Sequence, residues 1–414
     1  MTSAASLRAP SGRDHRVDFW RGVALVMIFI NHIPGNLYEN FTSRNFGFSD
    51  AAELFVFLAG FASAFAYGRL FFAGHELVST LKAFRRSGVL VMVQLMLSTL
   101  ALGIYSWGAL ALGHGELLSR IGLSQFIASP VETMIGFATM THQLGYVNIL
   151  PMYAVLLLML PALLFIARIS LNLMLGVSAV VWLLAYVFAI DLPNYPLPGG
   201  WFFNPVAWQL IFALGLYCGF QRIERGYAVP FHPWLIAAAG AYCMIAFLTI
   251  RFNLWSWWAA LPFPVLLTGF DKTYVSLPRL LHIIAIVYLF ANASATSPFS
   301  TVKRDNPLAM LGRHSLPVFA AGTVMSLMGQ VIKNDRTPHF LADTLMIGAG
   351  IAILFALARF LDWWAVAQKV ALGPTAGRAI DPTRAELSAG AKAGQDPRRA
   401  AGSKLGQGSV TPAE

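Results

Sequence analysis

Charge is what this chain has least of. Charged residues make up 12% of its 414 positions, against about 25% in a soluble globular protein. That scarcity excludes an ordinary soluble domain. Cysteine is nearly absent too: Cys218 and Cys243 both lie in apolar runs, and no disulfide framework is implied. The first apolar run has no small-x-small cleavage site after it. "HIPGNLYEN" follows instead, so a retained helix is expected rather than a cleaved signal peptide. There is no internal repeat.

Hydrophobic residues, by contrast, make up 57%. Apolar runs recur from residue 17 to about 366, each near the ~20 residues needed to cross a bilayer. The expected fold is an all-α polytopic membrane protein with about ten transmembrane helices. The spans are expected near 17–33, 50–72, 87–107, 146–167, 171–190, 204–220, 233–250, 277–294, 314–332 and 342–366. The stretch 253–270 is also apolar but carries two prolines and three tryptophans, which suits the membrane interface. Parity favours that reading. With Arg8, Arg13 and Arg16 inside, a non-crossing 253–270 keeps Lys303, Arg304 and Arg313 inside as well. Residues 1–16 then form a cytoplasmic tail, 17–370 the membrane domain, and 371–414 a disordered cytoplasmic tail rich in Gly, Ala, Pro and charge. The formal charge of +10 belongs to this topology and is not a nucleic-acid signal.

The first span opens on charge and closes on histidine: "RVDFWRGVALVMIFINH". At about 100° per residue, Asp18, Arg21 and His32 share one helical stripe, with ~16 Å of rise from Arg21 to His32. Ionisable groups at membrane depth usually face a functional cavity, although an interfacial salt bridge and a snorkelling histidine would account for the same residues. In the second span, "SDAAELFVFLAGFASAF", Asp50 and Glu53 are three apart on one face. A carboxylate there needs a partner, and His32 is the nearest in chain order; such a pair is how general bases are built. Pairing with a loop arginine is the alternative. Gly60, among Ala59, Ala62, Ser63 and Ala64, points to close helix packing. "LKAFRRSG" brings Lys82, Arg85 and Arg86 to the start of the third span, as topological charges or as an anion cradle. Trp201, Phe202, Phe203 and Trp208 suit either an interfacial belt or stacking on sugar faces, and Asn204 stands among them.

"RVDFWRG", His32, "AAELFVFLAGF" and the basic cluster together resemble acyltransferase family 3, whose members move acyl groups from cytoplasmic acyl-CoA to extracytoplasmic glycans. "YVNILPMYAVLLLMLPALL", "GWFFNPVAWQLIFALG" and "LGRHSLPVFAAG" are similar to its OpgC branch, associated with succinylation of osmoregulated periplasmic glucans. The resemblance covers residues ~13 to ~366. It implies a multi-pass protein of the bacterial inner membrane with both termini cytoplasmic. It implies catalysis by His32 supported by Glu53, and substrate binding by Arg16, Asp18, Arg21, Lys82, Arg85, Arg86, Trp201, Asn204 and Arg313. Lys82 departs from the family's paired arginines, and Asn148 stands where an acid is expected. Acyl-CoA is implied as donor substrate with no bound cofactor or metal; the other partners are a periplasmic glycan and the bilayer. A transporter or flippase of a glycan or small anion is the rival class, since buried ionisable residues also mark transport pathways.

Overall fold

A computed structural model describes residues 14–372, apart from 295, 298, 335 and 336. The predicted tail at 371–414 and most of the one at 1–16 lie outside the described residues. Those described are helical, with no strand among them beyond an isolated bridge between Pro193 and Gly200.

The helices are α1 His15–Asn31, α2 Ala51–Phe72, α3 Glu76–Ala111, α4 Ile149–Ile169, α5 Leu171–Val187, α6 Pro205–Arg225, α7 Pro233–Arg251, α8 Leu277–Ala291, α9 Pro307–Arg313, α10 Ser315–Lys333 and α11 Phe340–Leu372. Seven of these, α2, α3, α4, α6, α7, α10 and α11, are long and apolar enough to cross a bilayer; α5 and α8 are shorter apolar helices. Residues 253–270 hold only the short helices Trp255–Ala259 and Val265–Thr268. Five and four residues rise ~8 Å and ~6 Å, far less than a membrane's thickness.

Start signals are local. Asp14 caps α1 through its own Arg16 N–H (3.1 Å). Asp50 and Glu53 form a reciprocal capping box at α2, with Ala52 N–H to Asp50 Oδ1 at 2.8 Å and Asp50 N–H to Glu53 Oε2 at 2.9 Å. Asn204 caps α6 ahead of Pro205. One sequence expectation is corrected at α3. Lys82, Arg85 and Arg86 sit inside the helix, not in a loop ahead of it, because neither proline nor glycine interrupts Glu76–Ser87.

Two helix crossings position the site. At α2 against α6, a Cβ on Gly60 would stand 2.0 Å from the Phe212 carbonyl oxygen, and one on Gly215 2.0 Å from that of Phe57. At α1 against α9, Gly22 meets the Leu308 carbonyl and Gly312 that of Asp18, at 1.9 and 1.8 Å from where a Cβ would lie. Neither crossing admits any other residue at these glycines, and backbone contact of this kind replaces the hydrophobic drive that lipid does not supply. α2 also carries a π-helical turn at Ala64–Gly68. Cys218 and Cys243 are free, as expected. A second unit starts at Phe360, where Phe360, Trp363 and Trp364 form an exposed aromatic group.

Candidate active site

His32 follows the last residue of α1. Its N–H closes on the Ile28 carbonyl (3.0 Å), and its own carbonyl accepts from Gln330 Nε2 of α10. The main chain is therefore clamped between two helices while the imidazole is not. The ring lies edge-on to Tyr146, with centroids 5.4 Å apart. Its Nδ1 is buried and has no hydrogen-bond partner among the described residues. Lys272 and Asp50 lie within electrostatic reach. Tyr146 is held at φ +67°, a left-handed backbone that is unusual for an aromatic residue. Such strained residues cluster at functional sites.

Glu53 does not pair with His32. Both of its oxygens are taken: Oε1 accepts from Arg279 Nε (2.8 Å) and Nη2 of α8, and Oε2 accepts the capping N–H of Asp50. The reason is chain geometry. The capping box points the carboxylate back along α2, where the guanidinium, only 12% exposed, approaches it through two nitrogens. Asp50 Oδ2 in turn binds Lys272 Nζ and lies 3.7 Å from Arg279 Nη2. Two acids and two bases thus form a closed cluster, with Glu53 fully buried. His32 borders this cluster at Asp50 and Lys272, not at Glu53.

Sequence reasoning missed Lys272, Arg279 and His282. Arg279 carried a usable signal, a charge two residues inside an apolar run, which was the rule applied to Glu53. His282 was recoverable in the same way. It is 3% exposed, and its Nδ1 accepts from Ser49 N–H (3.1 Å) with the Ser49 hydroxyl 2.7 Å away. That contact ties the approach to α2 onto α8.

At the opposite end of α1 the predicted basic residues divide into two groups. Arg16 is held by Asp14 (2.9 and 3.1 Å) and lines an apolar groove with Trp20, Phe57, Phe61, Arg222 and Phe290. Asp18 is 2% exposed at the α1–α9 crossing, and Arg313 follows the Gly312 that packs on it, donating to the Arg304 carbonyl (2.6 Å). Arg21 donates to the Leu58 carbonyl (3.1 Å) and shares Tyr153 with Arg86 as an electrostatic neighbour. Arg85 and Arg86 both lie within reach of Tyr67. Lys82 donates to the Ala66 carbonyl inside the π-helical turn (2.9 Å) and covers the Tyr67 ring at 5.5 Å. Among the described residues Lys82, Arg85 and Arg86 meet no carboxylate. Arg21, Arg85 and Arg86 thus gather positive charge around Tyr67 and Tyr153.

Two predicted contact residues are corrected. Asn204 is fully buried, and its amide is consumed by the Val206 N–H (2.9 Å) and the Ile190 carbonyl (2.7 Å). Trp201 is 5% exposed and donates to the Pro193 carbonyl (3.1 Å). An N-cap must present its amide to the helix, and a buried indole N–H must find an acceptor; both side chains serve the loop. Phe203 and Trp208 are buried as well, and the open ring of the group is Phe202.

An all-α membrane-type protein with a histidine beside a closed ionic cluster, and a group of arginines toward the other end of the same helix, is the class this geometry defines. The chain belongs to the OpgC family: the family model described as OpgC protein matches residues 13–366. The family is consistent with a glucan-modifying acyltransferase. No curated protein and no solved structure matches the chain.

Proposed function

We propose that the protein is an O-acyltransferase that takes an acyl group, succinyl or acetyl, from cytoplasmic acyl-CoA and places it on a periplasmic glycan, an osmoregulated glucan in the family's usual role. The carrying observation is the His32 imidazole, whose buried Nδ1 has no partner while its backbone is clamped on both sides. A ring nitrogen without a hydrogen bond is available to a substrate proton.

In this reading ten helices cross the inner membrane and both termini are cytoplasmic. Arg21, Arg85 and Arg86 receive the phosphates of the donor, and the acyl end reaches toward His32. His32 accepts the proton of a glycan hydroxyl as its oxygen attacks the thioester carbonyl. The new ester C–O bond forms, the C–S bond breaks, and the leaving thiolate takes the proton from the imidazolium. Glu53 is a positioning residue here. It fixes Arg279 and the start of α2, and through Asp50 the edge of the cluster that His32 borders.

The test is thiol release from acyl-CoA by the purified full chain with and without glucan. His32→Gln keeps the polarity but cannot carry the proton. It should lower acceptor-dependent release by roughly 10²–10⁴-fold, the range for a general base, while acyl-CoA binding persists. Near-normal release by a well-folded His32→Gln protein would remove the assignment.

A further inference from the structure

A cavity of about 370 Å³ opens beside the segments that carry His32's neighbours. Its wall includes the carboxylates of Asp191 and Asp271, the amides of Gln143, Asn148 and Asn194, and the ring of Phe202. Among its described lining residues there are two acids and no lysine or arginine, in a chain whose formal charge is +10. The nearest cation in sequence, Lys272, pairs its ammonium with Asp50 and lies over the Phe202 and Phe203 rings at 5.9 and 5.3 Å.

The acids are held, not loose. Asp271 caps its own turn, accepting from Tyr274 N–H at 2.8 Å and Thr273 N–H at 3.3 Å. Asp191 accepts from Leu192 N–H at 2.7 Å through Oδ1. A Cβ on Gly200 would stand 2.1 Å from its Oδ2, so only glycine leaves that carboxylate its place. Phe202 is 50% exposed, packed edge-to-face on Phe203.

Carboxylates accept hydrogen bonds from hydroxyls, and amides both donate and accept. An open aromatic ring takes the apolar face of a pyranose. A third carboxylate brought into this wall would meet two like charges, while the nearby Lys272 ammonium is already paired with Asp50, an arrangement that costs affinity. A divalent cation would use the acids but not the amides and the ring, and the described residues hold no cluster of three or more metal-type ligands.

We infer that this cavity holds an uncharged hexose unit of the acceptor and turns away the same unit once it bears a dicarboxylic half-ester, which keeps a free carboxylate. The word acceptor rests on the acyltransferase reading. Two short stretches of chain link the cavity to His32: Tyr146, edge-on to His32, is two residues from Asn148, and Lys272, within reach of His32, lies between Asp271 and Thr273. Expelling an anionic product would clear the site after each transfer and limit a unit to one substitution.

The experiment compares a neutral β-gluco-oligosaccharide with the same oligosaccharide carrying succinyl half-esters. Binding to the detergent-purified full chain is read by saturation-transfer NMR and calorimetry. At pH 7.5 the neutral sugar should bind about tenfold more tightly, a modest outcome for partly screened like charges. Asp271→Asn, at an exposed position, should narrow that ratio, and Asp191→Asn/Asp271→Asn should bring it near unity. Phe202→Ala should weaken both sugars alike. Equal binding of the two sugars by the natural chain would overturn the inference. So would an unchanged ratio in Asp271→Asn, or calcium binding that displaces the sugar. Acyl-CoA turnover is measured on the same protein. Discrimination without thiol release would leave a sugar site and remove the enzyme; thiol release without discrimination would do the reverse.

Discussion

Replacing Arg279 with methionine separates two roles for Glu53. The substitution keeps the apolar length of the side chain and removes both nitrogens that bind Glu53 Oε1. Each lost hydrogen bond to a charged group is worth ~1.5–3 kcal/mol. The larger effect is the fully buried carboxylate left behind with only the Asp50 N–H as donor. Breaking one side of a buried pair typically costs ~3–5 kcal/mol, a factor of ~10² or more in the folded population. Glu53→Gln strands the guanidinium instead, although Asp50, 3.7 Å from its Nη2, shares part of that charge; its cost should be the smaller. The double variant Glu53→Gln/Arg279→Met removes both charges at once and should recover at least ~2 kcal/mol over the sum of the single losses. Chemical unfolding in detergent, followed by tryptophan emission, measures all four corners of the cycle. Additive losses would show that Glu53 and Arg279 are not a pair and would reopen His32 as the partner of Glu53.

Arg86→Glu should weaken acyl-CoA binding more than tenfold, because it puts a negative charge among the arginines near Tyr153 proposed to meet the donor phosphates; unchanged affinity in a calorimetric titration would leave Arg86 a purely topological charge. Burial, with the Asp271 charge adding to it, pushes the Asp191 carboxyl up to about 6 from an ordinary 3.8. Between those values the folded state binds the extra proton, so this contribution to stability is present below pH 4 and is lost as pH rises through 6; Asp191→Asn should flatten that part of the denaturation-versus-pH curve, and an identical curve would refute the shift. With 253–270 not crossing, an impermeant thiol reagent applied from outside should label a cysteine at Asn253 and miss one at Lys303, and labelling at Lys303 would dismiss the ten-span topology.

Much of the helical framework was legible because lipid imposes one rule on every crossing. Backbone groups must be satisfied within the helix and side chains must be apolar, so α4, α7 and α10 begin and end within a few residues of their hydrophobic runs. Gly60 announced the α2–α6 contact by its small neighbours, but nothing local shows that Gly22 packs on Leu308, or Gly312 on Asp18, nearly three hundred positions away. The site divides in the same way. His32 and Glu53 were visible as polar residues in apolar runs, whereas their partners depend on which distant helix packs alongside. Glu53 lost its expected histidine because Arg279 arrives from α8. Asn204 looked like a surface amide, yet the position before Pro205 is an N-cap, and its fully buried amide is turned to the Val206 N–H and the Ile190 carbonyl.

The stretch between the short helices and α8 carries Asp271, Thr273 and Tyr274 to the acidic cavity and Lys272 to the ionic cluster, and it is not helical itself. Irregular backbone packed among helices persists only where its polar groups find partners in the protein. Two tryptophans supply them. The Trp208 indole donates to the Lys272 carbonyl (3.0 Å), and that of Trp182 is shared between the carbonyls of Tyr274 and Val275 (3.0 Å each). Both rings are buried, so neither N–H has water as an alternative. They hold Val275 at φ +54°, a left-handed backbone that a β-branched residue adopts only under constraint. Strain of that kind costs ~1–3 kcal/mol and survives where its surroundings over-determine it; two indole donors and the Lys272–Asp50 ion pair provide that. Trp208, which suited a sugar platform in the sequence, therefore acts one layer deeper, together with Trp182. They brace the segment that joins the acidic cavity to the cluster beside His32, and Phe202 is left as the ring that faces outward.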